Sequence, residues 1–156
     1  MSSSDPSPDE IRALIAPLLP LEGPLLPILH AVQDAYGHIP AAALAPIAEA
    51  LNNSRAELHG VISFYHDFRD QPAGRQVLKI CRSEACQAMG GAALAEATLT
   101  RLGLDWHGTT RNGALTVEPV YCLGLCACAP AVMLGDRVVA RVDTARMDAV
   151  LAEAGA

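Results

Sequence analysis

Two close pairs of cysteines, far apart in the chain, constrain the fold more than any other feature. Cys81 and Cys86 stand in Ile80-Cys-Arg-Ser-Glu-Ala-Cys86, and Cys122 and Cys126 in Cys122-Leu-Gly-Leu-Cys126. If the four thiolates serve one centre, two distant segments must meet at one end of the molecule. Thiolate sulfur suits zinc, copper(I) and iron–sulfur centres. Short zinc sites more often use C-x2-C knuckles, so C-x4-C with C-x3-C leans toward a [2Fe–2S] cluster. A structural zinc site in an interaction module is the rival reading of the same four thiolates. A thiol–disulfide enzyme would need a C-x-x-C, which the chain lacks. The fifth cysteine, Cys128, reads most simply as a small buried hydrophobe, and more sharply as a substitute ligand for Cys126.

Length and charge narrow the function. With 156 residues the chain builds a core without cysteine staples. A net charge of -6, with its 11 basic residues scattered, argues against a nucleic-acid partner. The opening Met-Ser-Ser-Ser-Asp-Pro lacks the basic start of a secretory signal. The apolar stretch 15–32 is broken by Pro17, Pro20, Glu22, Pro24 and Pro27, so no membrane span is expected. Together these features point to a cytoplasmic protein, where paired cysteines bind metal more often than they form disulfides.

The chain reads as two parts. Residues 1–6 look like a disordered lead. Ser7-Pro-Asp-Glu10 is a capping box, followed by Ile11, Leu14, Ile15 and Leu18 at helical spacing. A second helix runs from near Pro24 to Gly37, and a third from Pro40 to Asn52, its first turns complicated by Pro46. Ser54-Arg-Ala-Glu57 is another capping box, opening a fourth helix with Leu58, Val61, Ile62 and Tyr65 on one side. Residues 8–66 thus form a helical module, and 67–75 a boundary. Gln76-Val-Leu-Lys-Ile80 then reads as a strand running into Cys81, with Cys86 beginning a helix whose dipole favours thiolate. An alanine-rich helix ends at Gly103. Asn112-Gly113 signals a hairpin between 106–110 and 114–119, and Gly135-Asp136 a second between 132–134 and 137–142. A last helix spans 143–154. The fold class is α/β, with the four cysteines in loops at one end of a small sheet.

The histidines make no ligand pattern. His59 and His66, seven apart on the fourth helix, are too far from each other to share an ion. Glu84 reads as a solvated charge, and Phe64 and Tyr65 as core or interface aromatics.

Beyond these residue-by-residue readings, Ile80-Cys-x4-Cys86-x3-Gly90, Tyr121-Cys-Leu-Gly-Leu-Cys126 and Ala129-Pro-Ala-Val-Met133 resemble the thioredoxin-like [2Fe–2S] ferredoxin family. That family includes the small iron–sulfur subunit of complex I and its relatives in NAD-reducing hydrogenases and NAD-dependent formate dehydrogenases. Leu25-Leu-Pro-Ile-Leu-His30, Gln33 to Gly37, and His59-Gly-Val-Ile-Ser-Phe-Tyr-His66 match it as well. The resemblance implies a thioredoxin-like domain over 76–154, a helical docking arm over 8–66, and Cys81, Cys86, Cys122 and Cys126 as the iron ligands of one [2Fe–2S] cluster. Phe64-Tyr-His-Asp-Phe-Arg69 and the run from Cys122 to Pro130 are most similar to the gamma subunit of molybdenum-containing, NAD-dependent formate dehydrogenase. On that likeness the partners are a flavin- and NAD-binding subunit and a larger molybdenum- and iron–sulfur-containing subunit that oxidises formate. Four cysteinyl ligands leave no open iron position, and the chain has no G-x-G-x-x-G or P-loop, so its role would be electron transfer without an active site of its own.

Overall fold

The computed structural model describes residues 6–156, so most of the expected disordered lead lies outside the described residues. The chain divides into two compact units that meet in sequence between Pro72 and Ala73.

The first unit is helical. Helix α1 (Pro8–Ile15) starts at Ser7, whose hydroxyl accepts the Glu10 N–H while the Glu10 carboxylate accepts the Ser7 N–H. Its Ile11 and Ile15 are fully buried, as one side of an amphipathic stripe demands. Helix α2 (Leu25–Tyr36) ends at Gly37, whose φ of 76° only glycine adopts cheaply. Helix α3 (Ala41–Leu51) runs through Pro46, which is buried in its interior, and stops at Asn52 in the left-handed region. Helix α4 (Arg55–Phe64) repeats the capping box with Ser54 and Glu57. Ile28, Leu29, Val32, Ile47 and Leu58 complete a core without solvent exposure. Each side chain of this size contributes roughly 1.5–3 kcal/mol by leaving water.

α4 ends at Phe64, so His66 lies beyond the helix and the expected two-turn spacing from His59 does not apply. The segment after α4 is held by Gln33, whose amide donates to the Asp67 carbonyl at 2.7 Å and accepts the Arg69 N–H at 2.8 Å. That clamp seats Phe68 in the core. Phe64 and Tyr65 stay on the surface, 72% and 43% exposed, edge-to-face with each other.

The two capping boxes make this unit acid-sensitive. Hydrogen bonds from the Ser54 backbone and side chain hold the Glu57 carboxyl below its ordinary 4.5, and Ser7 does the same for Glu10. A folded-state pKa below the unfolded one gives stabilisation that is complete above the unfolded value and lost as pH falls through the folded one. Thermal unfolding from pH 7 down to pH 3 should therefore show a loss below about pH 4.5 that is smaller in Glu57→Gln. An identical acid profile in the variant would remove the box as its cause.

The second unit is a four-stranded sheet in the order β2-β1-β3-β4. β1 (Gln76–Cys81) pairs in parallel with β2 (Leu115–Val120) and antiparallel with β3 (Val132–Leu134), which pairs with β4 (Arg137–Val139). A parallel pair needs a crossover. Helix α5 (Glu84–Ala88) and helix α6 (Gly91–Leu102) supply it, and helix α7 (Thr144–Ala154) closes the chain. Leu78, Ile80, Leu115, Val117 and Val132 from the sheet meet Ala95 of α6 and Met147, Val150 and Leu151 of α7 in one core. Exposed ion pairs, Arg101 with Asp148 and Arg137 with Glu153, lie on the surface of the same unit.

Two expectations change here. The 106–110 arm is no regular strand: beside the isolated bridge of Thr109 to Thr116, it joins β2 through backbone hydrogen bonds of His107 and Gly108 with Val117 and of Thr110 with Leu115, and His107 takes a φ of 66° that breaks its extended run. Asn112-Gly113 still turns the chain, with Asn112 accepting the Ala114 N–H. The last strand ends at Val139 because Arg141 adopts a φ of 49°.

Candidate metal centre

The parallel pairing of β1 and β2 decides where the cysteines lie. Cys81 is the last residue of β1 and stands in register with Val120, the last residue of β2. Both strands finish at the same end of the sheet, which brings the 122–126 loop to Cys81, whose sulfur accepts from the Leu123 backbone. Cys86 follows in α5, and Cys126 opens a single 3-10 turn, Cys126–Cys128. The sequence places Cys86 at the beginning of a helix. Instead it sits third in a five-residue one, separated from α6 by the left-handed Gly90.

The two pairs differ in burial. Cys81 and Cys86 are 3% and 1% exposed and pack with Ala129 and Ala131, whereas Cys122 and Cys126 face solvent. The Cys122 and Cys126 sulfurs lie 3.7 Å apart. A tetrahedral centre with metal–sulfur bonds of about 2.3 Å sets its sulfurs about 3.8 Å apart, so this pair already has the spacing of two ligands on one ion. The Cys81 and Cys86 thiols are also within hydrogen-bonding reach of each other. Among the described residues, no three Cys, His, Asp or Glu side chains are grouped so as to hold a single metal ion.

Backbone donors line the site. The Gly124 N–H points at Cys122 Sγ at 3.3 Å. The Ser83 and Leu123 N–H groups reach Cys81, and the Ala131 N–H reaches Cys86. Leu123 and Gly124 sit between the second pair of cysteines, and Gly124 has a φ of 76°. The loop therefore turns its own amides onto sulfur from both pairs. Such donors stabilise negative charge on sulfur.

The thiols do not ionise alike. Burial works against the Cys81 thiolate, but hydrogen bonds from Ser83, Cys86 and the Leu123 backbone outweigh it and hold this thiol below its ordinary value. Burial and the neighbouring Cys81 sulfur push Cys86 up. This corrects the expectation that a helix dipole would favour its thiolate. A five-residue helix has little dipole to offer, and desolvation wins. Cys126 is raised by Cys122 first, and further by Cys86 and Cys81. Neighbouring sulfurs thus oppose ionisation of Cys86 and Cys126, so charge on those thiolates calls for positive charge between them. That donor set fits a cationic iron–sulfur core.

Cys128 is half-buried, its backbone tied to Leu125 and Arg141. Glu84 is exposed, as expected of a solvated charge. Two features go beyond what sequence reasoning finds. Arg82, inside the first cysteine loop, stacks its guanidinium on Trp106 at 5.2 Å. Ser83 directs its hydroxyl at Cys81 Sγ, 3.2 Å away. No local pattern announces the first, because Trp106 is remote in sequence. The second has a local signal, since Ser83 stands two residues from a ligand candidate.

A small mixed sheet flanked by helices, with paired cysteines gathered at one edge, defines a ferredoxin domain built on the thioredoxin plan. The sequence profile of the thioredoxin-like [2Fe-2S] ferredoxin family matches residues 12–155. The chain belongs to that family, its cofactor is a [2Fe–2S] cluster, and it is an electron-transfer protein. It is 34% identical over 143 residues to an NADH-quinone oxidoreductase subunit of Rhizobium meliloti (strain 1021), covering 92% of this chain and 85% of that one. The NADP-reducing hydrogenase subunit HndA of Solidesulfovibrio fructosivorans is 31% identical, covering 92% and 84%. Among solved structures, an NAD+-reducing [NiFe]-hydrogenase in the air-oxidized state superposes with a TM-score of 0.70 at 29% identity. That match takes in 84% of this chain and 22% of the hydrogenase chain, about a fifth of its length. Among the described residues, no helix is long and apolar enough to cross a membrane.

Proposed function

We propose that Cys81, Cys86, Cys122 and Cys126 hold the cluster and that the chain passes electrons to or from a flavin- and NAD-binding partner subunit. The observation that carries this is the meeting of both cysteine segments where β1 and β2 end, with the Cys122 and Cys126 sulfurs 3.7 Å apart and the Leu123 amide of their loop reaching Cys81. When bound, the cluster takes up and gives back one electron. The chain's own part is to bury one sulfur pair, leave the other at the surface and aim amide N–H groups at both. Surface exposure of Cys122 and Cys126 supports short-range exchange with a docked partner.

The host complex is NAD-linked on this proposal, as the names of the relatives suggest. Within it, the sequence from Phe64 to Arg69 and from Cys122 to Pro130 favours a molybdenum-containing formate dehydrogenase, whose larger molybdenum- and iron–sulfur-containing subunit oxidises formate. The complex I and NAD-reducing hydrogenase subunits are the alternatives. Residues 8–66 serve as the docking arm and 76–154 as the cluster domain, with exposed Phe64 and Tyr65 as aromatic anchors of the kind that dominate interfaces. Cytoplasmic location follows from the same NAD linkage.

Anaerobically purified protein should be brown and EPR-silent when oxidised, contain iron and sulfide in equal amounts, and give an S = 1/2 signal on dithionite reduction. A colourless protein with one tightly bound zinc, unable to take up a cluster on reconstitution, would overturn this function. Co-purified molybdenum would support the formate dehydrogenase, and co-purified nickel a hydrogenase.

A further inference from the structure

Among the described residues three helices begin at a serine, and one of these serines is used differently. Ser7 and Ser54 cap α1 and α4 in the ordinary way, each accepting the backbone N–H three residues on. Ser83 occupies the same position before α5 with the same extended backbone, φ -69° and ψ 161°, yet its side chain makes no capping hydrogen bond. Where the two capping boxes have glutamate, this helix has Cys86. The Ser83 hydroxyl leaves the helix backbone uncapped and lies 3.2 Å from Cys81 Sγ, with the Cys86 thiol also in its reach. A serine at this position that declines its cap forgoes about 1 kcal/mol of helix stabilisation.

We propose that Ser83 is a potential-setting residue whose hydroxyl donates to the Cys81 thiolate in the cluster-bound protein. The inference rests on Cys81 being a ligand, as argued above. A ligating thiolate carries no proton, so the hydroxyl is the donor and the sulfur the acceptor. The loop that presents it is fixed on both sides. The Arg82 N–H donates to the Val120 carbonyl at 2.7 Å, its carbonyl accepts from the Gln87 side chain at 2.7 Å, and the Ser83 carbonyl accepts the Gln87 N–H. The Arg82 side chain is stacked on Trp106. A hydroxyl held this way needs no reorganisation to meet added charge.

The sign follows from charge. Four thiolates around an oxidised [2Fe–2S] core leave a net negative site, and reduction adds one more negative charge. A hydrogen-bond donor on a ligand sulfur stabilises the reduced state more than the oxidised one, so it raises the potential. Removing the hydroxyl should make the protein harder to reduce. The backbone N–H groups of Ser83 and Leu123 remain on Cys81 in such a variant, so cluster binding should survive.

The test is an EPR-monitored redox titration of the full-length, cluster-loaded chain as wild type, Ser83→Ala and Ser83→Thr. Ser83→Ala should show about a tenfold lower reduced-to-oxidised ratio at fixed ambient potential, a midpoint about 59 mV lower for one electron. Ser83→Thr, which keeps the hydroxyl, should return to the wild-type midpoint. If the alanine variant loads poorly, Ser83→Gly replaces it, because glycine at this helix position costs only a few tenths of a kcal/mol relative to serine. A midpoint unchanged in the loaded Ala or Gly variant, or one lowered equally by threonine, would overturn the role of the hydroxyl. A wild-type chain that binds no cluster would instead overturn the ligand assignment on which it rests.

Discussion

Cys86→Ala is expected to abolish cluster incorporation while leaving the chain folded. Iron content should drop from about two per chain to near zero, with loss of the visible absorption and of the EPR signal on reduction. Cys86 is the sharpest position for this test because it is 1% exposed and no other cysteine lies on its helix. Cys126 is less decisive, since Cys128 follows it in the same 3-10 turn and offers a replacement sulfur. A Cys126→Ala variant that still holds a cluster would identify Cys128 as that substitute. The fold should survive Cys86→Ala because the main core of this unit is built from Leu78, Ile80, Leu115, Val117, Val132 and the α6 and α7 side chains, without Cys86. Far-UV circular dichroism should therefore match the cluster-free wild type, and the thermal midpoint should fall to that of the cluster-free protein, as expected when a bound centre contributes to stability. A Cys86→Ala protein that keeps full iron content would remove this cysteine from the ligand set.

The second large effect is a contrast between two glycines. In helices alanine is favoured over glycine by roughly 1 kcal/mol, so Gly→Ala is normally stabilising. Gly60, within α4, has open space where a Cβ would go, and Gly60→Ala should raise stability by roughly 0.5–1 kcal/mol. Gly91, the first residue of α6, is different. A Cβ there would lie 2.6 Å from the Cys86 carbonyl oxygen, 3.0 Å from its carbonyl carbon and 3.3 Å from its Cβ. Backbone cannot yield as a flexible side chain does, so the junction between α5 and α6 must open and carry Cys86 with it. Gly91→Ala should cost about 1–3 kcal/mol and lower cluster occupancy. Urea unfolding of both variants, with iron analysis of Gly91→Ala, checks the pair. A stabilised, fully loaded Gly91→Ala would mean that close approach of α6 to Cys86 does not position the ligand.

Much of the helical unit is legible from the chain because its signals are local. Ser7 with Glu10 and Ser54 with Glu57 fix two helix starts through contacts three residues apart, and Gly37 and Asn52 fix two ends through backbone conformation. Pro46 reads as disruptive in the sequence but is accommodated, since the helix interior there is buried against other helices. In the second unit the turns at 112–113 and 135–136 are equally visible, but what flanks them is not. Leu115 to Val120 meets the preceding 106–110 arm in a few local hydrogen bonds, as the turn suggests, but its regular ladder is with the distant β1, where pairing completes a sheet whose apolar residues are covered by α6 and α7. A turn signal cannot weigh that burial.

The candidate site divides along the same line. The four thiols and their grouping into close pairs are properties of the sequence, as are the glycines that let backbone approach sulfur. Which pair is buried, which thiol ionises more readily and which donors face the sulfurs are settled only when β1 and β2 end side by side. Desolvation, the proximity of like charges and the reach of the Leu123 and Ala131 amides all act through space between segments remote in the chain. The sequence by itself determined the close pairing of the thiols and the helical caps, because both depend on residues within a turn or two of one another. Only the tertiary structure decided the electrostatics of the site, because those depend on what packs around it.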